Sequence, residues 1–227
     1  MKYLAVVPAA GAGRRMGMNI PKQYLQIHGK AVIDWTLEAL LSHADIEMVM
    51  VAISQGDEFW QDTRSSADPR IHVVTGGEER CHSVLNALHA LNATGFSPDD
   101  WVLVHDAARP CVRLDDITRV IHQARRHGGG VLGVPVHDTM KRTDAENVIL
   151  QTVERNQLWH AFTPQMFPLG KLHDSLQGAL AAGENITDEA SAMEWAGHRA
   201  VMVEGAATNI KITRPVDLAL AEFYLSL

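Results

Sequence analysis

Short apolar runs rich in β-branched residues recur along the chain, and stretches of helical period fill the intervals between them. Parallel strands need a crossover connection, usually a helix, so this rhythm specifies βαβ units and a mostly parallel sheet covered by helices. The pattern predicts strands at 3–7, 48–53, 71–75, 101–104, 130–136 and 200–203. Helices are predicted near 32–42, 80–91, 114–126, 169–182, 188–196 and 215–224. The expected fold class is α/β, with a twisted sheet flanked by helices.

At 227 residues one Rossmann-like unit can fill the whole chain, 1–227, and a domain of that size buries roughly 70% of its unfolded surface. Hydrophobic residues at 46% and charged residues at 21% are ordinary for a globular domain and exclude disorder and a coiled coil. A net charge of −7 opposes binding to nucleic acid or an anionic membrane through the general field, so a bound anion must be held by a local site. The apolar run at 3–7 stops at Pro8 and leads into Arg14 and Arg15, too short for a secretory segment, and no stretch approaches the ~20 apolar residues of a membrane span. Cys81 and Cys111 lack Cys-x-x-Cys spacing and support neither a disulfide framework nor a structural zinc site. The expectation is a cytoplasmic protein with no nucleic-acid or membrane partner.

The rhythm breaks between Val136 and Val153, where polar residues from His137 to Glu146 separate two short extended stretches. This segment reads as a β-hairpin arm, about 136–155, projecting from the sheet. An isolated hairpin is marginal in water, so the arm needs something to pack on, and a second copy of the chain is the simplest candidate.

Directly after the first strand stands Pro8-Ala9-Ala10-Gly11-Ala12-Gly13-Arg14-Arg15-Met16-Gly17. Small residues let backbone N–H groups approach a phosphate or base, although a turn can also need glycine for its conformation alone. A dinucleotide-binding turn would carry a third small residue where Met16 stands and an acidic residue ~20 positions on, which are not cleanly present. No Gly-Lys-Ser or Gly-Lys-Thr follows, so a Walker loop is also absent. What remains is a long basic loop, through Arg15 and Lys22, able to clamp a polyphosphate.

Together with Pro21-Lys22-Gln23-Tyr24, this loop resembles the signature loop of nucleotidyltransferases, and more narrowly that of the 2-C-methyl-D-erythritol 4-phosphate cytidylyltransferase family. Further strings match that family in order: Gly76-Gly77-x-x-Arg80 with Ser83; Val104 to Pro110; Asp138-Thr139-x-Lys141; and Thr187 to Ser191 with Asn209-Ile210-Lys211 and Arg214-Pro215. The resemblance runs from about Tyr3 to Phe223. It implies attack by a sugar-alcohol phosphate on the α-phosphorus of CTP, with release of pyrophosphate. A phosphate monoester has a second pKa of ~6, so the nucleophile is largely dianionic at neutral pH and needs no side-chain base. Catalysis then reduces to holding repelling anions together and stabilising charge on the reacting phosphoryl groups.

By the same resemblance Arg15 and Lys22 are the catalytic pair, while Arg14 reads as an ordinary surface residue. The nucleotide would be bound by Pro8, Ala9, Ala10, Gly11, Gly13, Gly77, Glu78, Arg80, Ser83 and Asp106. The acceptor would be held by Asp106, Arg109, Thr139, Lys141, Arg155, Thr187 and Lys211, with the hairpin residues reaching across a homodimer interface. Mg²⁺ or another divalent cation would be held mainly by the CTP phosphates, with Asp106 as a candidate ligand. Local roles compete with these: Ser83 could serve a helix terminus, Thr187 could be the N-cap of the helix at 188–196, and Lys141 could stand on an exposed hairpin tip. The 12 histidines show no metal spacing, since His82 and His89 lie seven apart and no His-Glu-x-x-His occurs. The alternatives are another acceptor on the same scaffold, such as ribitol 5-phosphate, and, from a different class, a dinucleotide-dependent oxidoreductase or a nucleotide sensor.

Overall fold

A computed structural model describes residues 1–11 and 20–227. Seven strands form one sheet: β1 (Tyr3–Pro8), β4 (Ile46–Ile53), β5 (Ile71–Thr75), β6 (Trp101–Val104), β7 (Gly130–Pro135), β10 (Trp159–Pro168) and β11 (Val201–Glu204). Short strands β2 (Gln26–Ile27) and β3 (Lys30–Ala31) pair with each other, as do β8 (Met140–Thr143) and β9 (Ile149–Val153). The helices are α1 (Val32–Leu41), α2 (Arg80–Ala93), α3 (Leu114–His127), α4 (Leu169–Ala181), α5 (Glu189–Trp195) and α6 (Pro215–Leu225).

The sheet order is β11-β7-β10-β6-β1-β4-β5, and only β10 runs antiparallel to its neighbours. From β1 the chain adds β4 and β5 on one side, then returns to place β6 on the other. That reversal is a topological switch point, where open α/β sheets leave a crevice beyond the carboxyl ends of their strands.

Side chains that alternate along a strand face opposite sides of the sheet, and both sides are covered. Ala5, Val7, Val49, Val51 and Leu103 pack with Leu37 and Leu40 of α1 and with Ile117, Val120 and Ile121 of α3. Leu4, Val6, Met50, Val102 and Val104 pack with Val84 and Leu88 of α2, Leu172 and Leu176 of α4, and Met193 of α5. Helix α3 ends on Gly128 at φ +86°, a left-handed conformation that glycine adopts without a side-chain clash.

The sequence pattern missed β10, because Pro164 interrupts its run and Pro168 closes it, and proline removes a ladder donor. Its pairing with β7 is irregular between Ala161 and Gln165. The connection from β4 to β5 holds two short 3-10 turns, Trp60–Asp62 and Arg64–Ala67, instead of a crossover helix. The buried Asp34 carboxylate fastens it by accepting from Ser65 N at 2.9 Å and Ser65 Oγ at 2.6 Å. The hairpin at 136–153 is present, but its first strand, β8, lies inside the polar stretch. Arm residues Val148, Ile149 and Leu150 are exposed.

Candidate active site

A cleft of about 290 Å³ opens over the carboxyl ends of β1, β5 and β6. Its first wall is the turn from Pro8 to Gly11. The buried Gln23 amide donates to Ala9 O at 2.6 Å and to Gly11 O at 3.2 Å, and Ser54 Oγ donates to Ala10 O at 2.9 Å. Three carbonyls of the turn are thus engaged by side-chain donors, which offsets their negative ends where an anion would approach.

The opposite wall is the glycine turn after β5. A Cβ on Gly76 would lie 2.5 Å from Ala10 Cβ and 2.8 Å from Ser83 Oγ, and one on Gly77 would lie 2.3 Å from His82 Cβ. Neither glycine is required by a left-handed backbone; close approach excludes a side chain. Ser83 Oγ accepts from Gly77 N at 3.0 Å and donates to Glu79 O at 3.1 Å. It therefore ties the glycine turn to the first turn of α2, at a position that also lines the cleft.

Asp106 stands two residues past β6, buried on the cleft floor. Arg80 Nε donates to its Oδ1 at 2.8 Å, while Lys211 Nζ and Arg109 Nε lie 2.9 and 3.3 Å from its Oδ2. Burial pushes the Asp106 carboxyl up, but Arg80, Lys211 and Arg109 outweigh it and hold it well below the usual carboxylate range. For Arg80 burial opposes the charge, and the carboxylates of Glu189 and Asp106 overcome it. Glu189, almost wholly buried, takes the Arg80 guanidinium in a fork of 2.6 and 3.0 Å.

The surrounding network fixes this cluster. Asp106 N donates to Thr163 Oγ1 at 3.0 Å, and Thr163 Oγ1 lies 3.0 Å from His105 Nδ1. Burial pulls His105 down to about 4, so the imidazole is neutral near pH 7; its Nε2 meets Arg109 O at 3.1 Å. Arg109 O can only accept, so the neutral imidazole carries its proton on Nε2 and donates there, which leaves Nδ1 to accept from the Thr163 hydroxyl. Arg109 also donates to Asn209 O at 2.7 Å and stacks 4.8 Å from the Phe162 ring centroid.

The expected residues divide by location. Pro8, Ala9, Ala10, Gly11, Lys22, Gly77, Glu78, Arg80, Ser83, Asp106 and Lys211 line the one cleft. Lys22 Nζ donates to Ile212 O at 2.7 Å, joining the loop to the segment that carries Lys211. Arg109 is an interior residue bound to Asp106 behind the floor. Gly13, Arg14 and Arg15 lie outside the described residues. Thr139, Lys141 and Arg155 are exposed on or beside the arm, where Lys141 donates to Thr152 Oγ1 at 2.7 Å and Arg155 to His137 O. Thr187 is exposed and does not cap α5; Asp188 does, accepting from Ser191 N at 3.0 Å in a capping box, because its carboxylate stands one residue nearer the first turn.

Sequence reasoning assigned no role to Gln23, His105, Glu189 or Asn209, although each stood inside a matched string. Thr163 carried no signal, since it lies at the irregular part of the strand that the hydrophobic pattern passed over.

A small-residue turn facing a carboxylate ringed by cations, at the switch point of a parallel sheet, defines an α/β enzyme that handles phosphorylated ligands. The family model for 2-C-methyl-D-erythritol 4-phosphate cytidylyltransferase matches residues 3–227. A 2-C-methyl-D-erythritol 4-phosphate cytidylyltransferase of Vibrio vulnificus (strain YJ016) is 54% identical over 224 residues, covering 98% of this chain and 94% of the relative. A crystal structure of 4-diphosphocytidyl-2C-methyl-D-erythritol synthase superposes with TM-score 0.86 at 37% identity, covering 99% of both chains. The Francisella tularensis cytidylyltransferase superposes with TM-score 0.84 at 36% identity, covering 99% of this chain and 100% of that one. The chain belongs to the 2-C-methyl-D-erythritol 4-phosphate cytidylyltransferase family of nucleotidyltransferases.

Proposed function

We propose that this enzyme transfers the cytidylyl group of CTP to 2-C-methyl-D-erythritol 4-phosphate, forming 4-diphosphocytidyl-2-C-methyl-D-erythritol and pyrophosphate in isoprenoid precursor synthesis. The observation that carries the reading is Asp106 bound to Arg80, Arg109 and Lys211 in the cleft that faces the Pro8–Gly11 turn. The triphosphate lies along that turn, with Lys22 on its phosphates; the family resemblance makes Arg15 the second catalytic cation. The nucleobase enters between Ala10 and Gly77, where the close approach of Gly76 to Ala10 and Ser83 leaves little width. Asp106 holds the Lys211 ammonium at the floor, where it meets the incoming acceptor phosphate. No residue need remove a proton from that phosphate, so the side chains orient the nucleophile and neutralise charge.

Mg²⁺ fits this donor set as an ion held by phosphates. Among the described residues Asp106 is the one buried carboxylate of the lining, and both its oxygens already meet cations. It offers at most one ligand, an arrangement magnesium accepts when phosphates and water supply the others. When bound, the ion would neutralise the triphosphate and the departing pyrophosphate. A cytoplasmic setting agrees with a cytidine triphosphate substrate and with two free, buried cysteines.

Thr139, Lys141 and Arg155 complete the acceptor pocket from the arm of a second copy, a reading supported by the exposed apolar arm residues. Arg155→Ala is then expected to raise the KM for the acceptor about tenfold or more while changing that for CTP little, in steady-state kinetics with either substrate varied. Equal effects on both would remove Arg155 from the acceptor site.

Substrate assignment is tested by pyrophosphate release with Mg²⁺, pairing CTP, UTP, ATP and GTP with methylerythritol 4-phosphate and with ribitol 5-phosphate. Release confined to CTP with methylerythritol 4-phosphate is expected. Release with ribitol 5-phosphate alone would move the acceptor, and silence throughout would reject nucleotidyl transfer.

A further inference from the structure

We infer that Glu79, Cys81 and His82 form a binding site for a borderline-soft divalent cation such as Zn²⁺, behind the glycine wall of the cleft. Spacing along the sequence showed no metal set, but the entry into α2 folds these three residues together. One ligand atom from each lies within 4.8 Å of the others, the one such group among the described residues. The sulfur–oxygen pair fits a shared ion. With Zn–S near 2.3 Å and Zn–O near 2.0–2.2 Å at a tetrahedral angle, sulfur and oxygen stand ~3.6 Å apart. Cys81 Sγ and Glu79 Oε2 are 3.7 Å apart.

The ligand chemistry separates this site from the magnesium of the reaction. Thiolate and imidazole select zinc and its neighbours, whereas magnesium takes oxygen ligands and retains water. The ligand form of cysteine is the thiolate, so binding displaces the Cys81 proton from sulfur to solvent as the metal–sulfur bond forms. Three protein ligands leave a fourth position for water.

The location couples the site to the cleft. Glu79 lines the cleft and is the residue from which α2 starts, and its carbonyl accepts from Ser83 Oγ, which in turn holds Gly77. The Gly77 backbone lies directly against His82, where even a Cβ would come within 2.3 Å. An ion that fixes Glu79 and His82 consequently fixes the wall on which the nucleotide would rest. This consequence depends on the nucleotide reading proposed above; the ion site itself does not.

The probe is Co²⁺, titrated into the full-length protein with its thiols reduced, with Cys81→Ala and His82→Gln measured alongside. One equivalent is expected to produce a thiolate-to-cobalt charge-transfer band that Zn²⁺ displaces. Cys81→Ala should abolish the band, and His82→Gln, on the partly exposed side of the turn, should weaken binding at least about tenfold. Absence of the band in the wild type, its persistence in Cys81→Ala, or undiminished affinity in His82→Gln would overturn the site. For the coupling, stoichiometric Zn²⁺ is expected to change the apparent Kd for Mg–CTP at least about threefold in the wild type and not in Cys81→Ala. Equal CTP affinities with and without Zn²⁺, in a protein that shows the cobalt band, would overturn the coupling.

Discussion

Replacing Lys22 by alanine is expected to lower turnover on the order of 10²-fold or more while leaving the fold intact. Lys22 begins a one-turn 3-10 helix, Lys22–Tyr24, whose next two residues are buried: Gln23 holds the Pro8–Gly11 turn and Tyr24 stacks on Phe59 at 5.4 Å. The backbone that carries Lys22 is therefore fixed by its neighbours, and its ammonium reaches Ile212 O at 2.7 Å across the cleft. Truncation removes a preorganised cation but little packing, so its cost should fall on kcat more than on stability. Steady-state kinetics beside urea denaturation checks this. A variant that unfolds readily yet keeps its turnover per folded molecule would make Lys22 a strut between two segments.

The sheet was legible where each strand is buried on both faces. Residues 101–104 were located without error, because a continuous buried apolar run bounded by polar turns leaves little freedom; the bounds of 71–75 were also met, although that strand is a partly exposed edge of the sheet. Strand β10 was hidden by Pro164 and by an outer half that is largely exposed. The cleft's glycines and Asp106 could be found from local strings, since each stands just past a strand end; Lys211 lies in the irregular segment between β11 and α6 and was found only through the family resemblance. The hydrogen bonds that hold them could not. Thr163 is 57 residues from Asp106 in the chain and Glu189 is 109 from Arg80, and only the completed sheet order brings them together. The convergence of Glu79, Cys81 and His82 was missed for a different reason: they are neighbours in the chain, and whether their side chains meet depends on the local backbone path into α2.

Asp106→Asn is expected to destabilise the protein by about 3 kcal/mol or more at neutral pH and to lower turnover by a further factor on the order of 10². The substitution keeps shape and removes charge, leaving Arg80, Arg109 and Lys211 around a neutral amide. The amide nitrogen must also face a donor, because all three neighbours donate. Lys211, about one-third exposed, can turn toward solvent, whereas Arg109 is buried and cannot. The penalty therefore concentrates on the interior arginine, while the loss of turnover follows from a lysine no longer held at the cleft floor. The pH dependence separates charge from shape. Since the folded carboxyl lies below its unfolded value of about 3.9, its stabilisation is complete above that pH and is lost as pH falls through the folded value. The stability difference between wild type and Asp106→Asn should thus stay constant from neutral pH down to about pH 5 and shrink only below about pH 4, followed by urea denaturation at each pH. A difference that persists undiminished into strong acid would mean that Asp106 stabilises the site through its shape and hydrogen bonds, and that its negative charge does not hold the three cations.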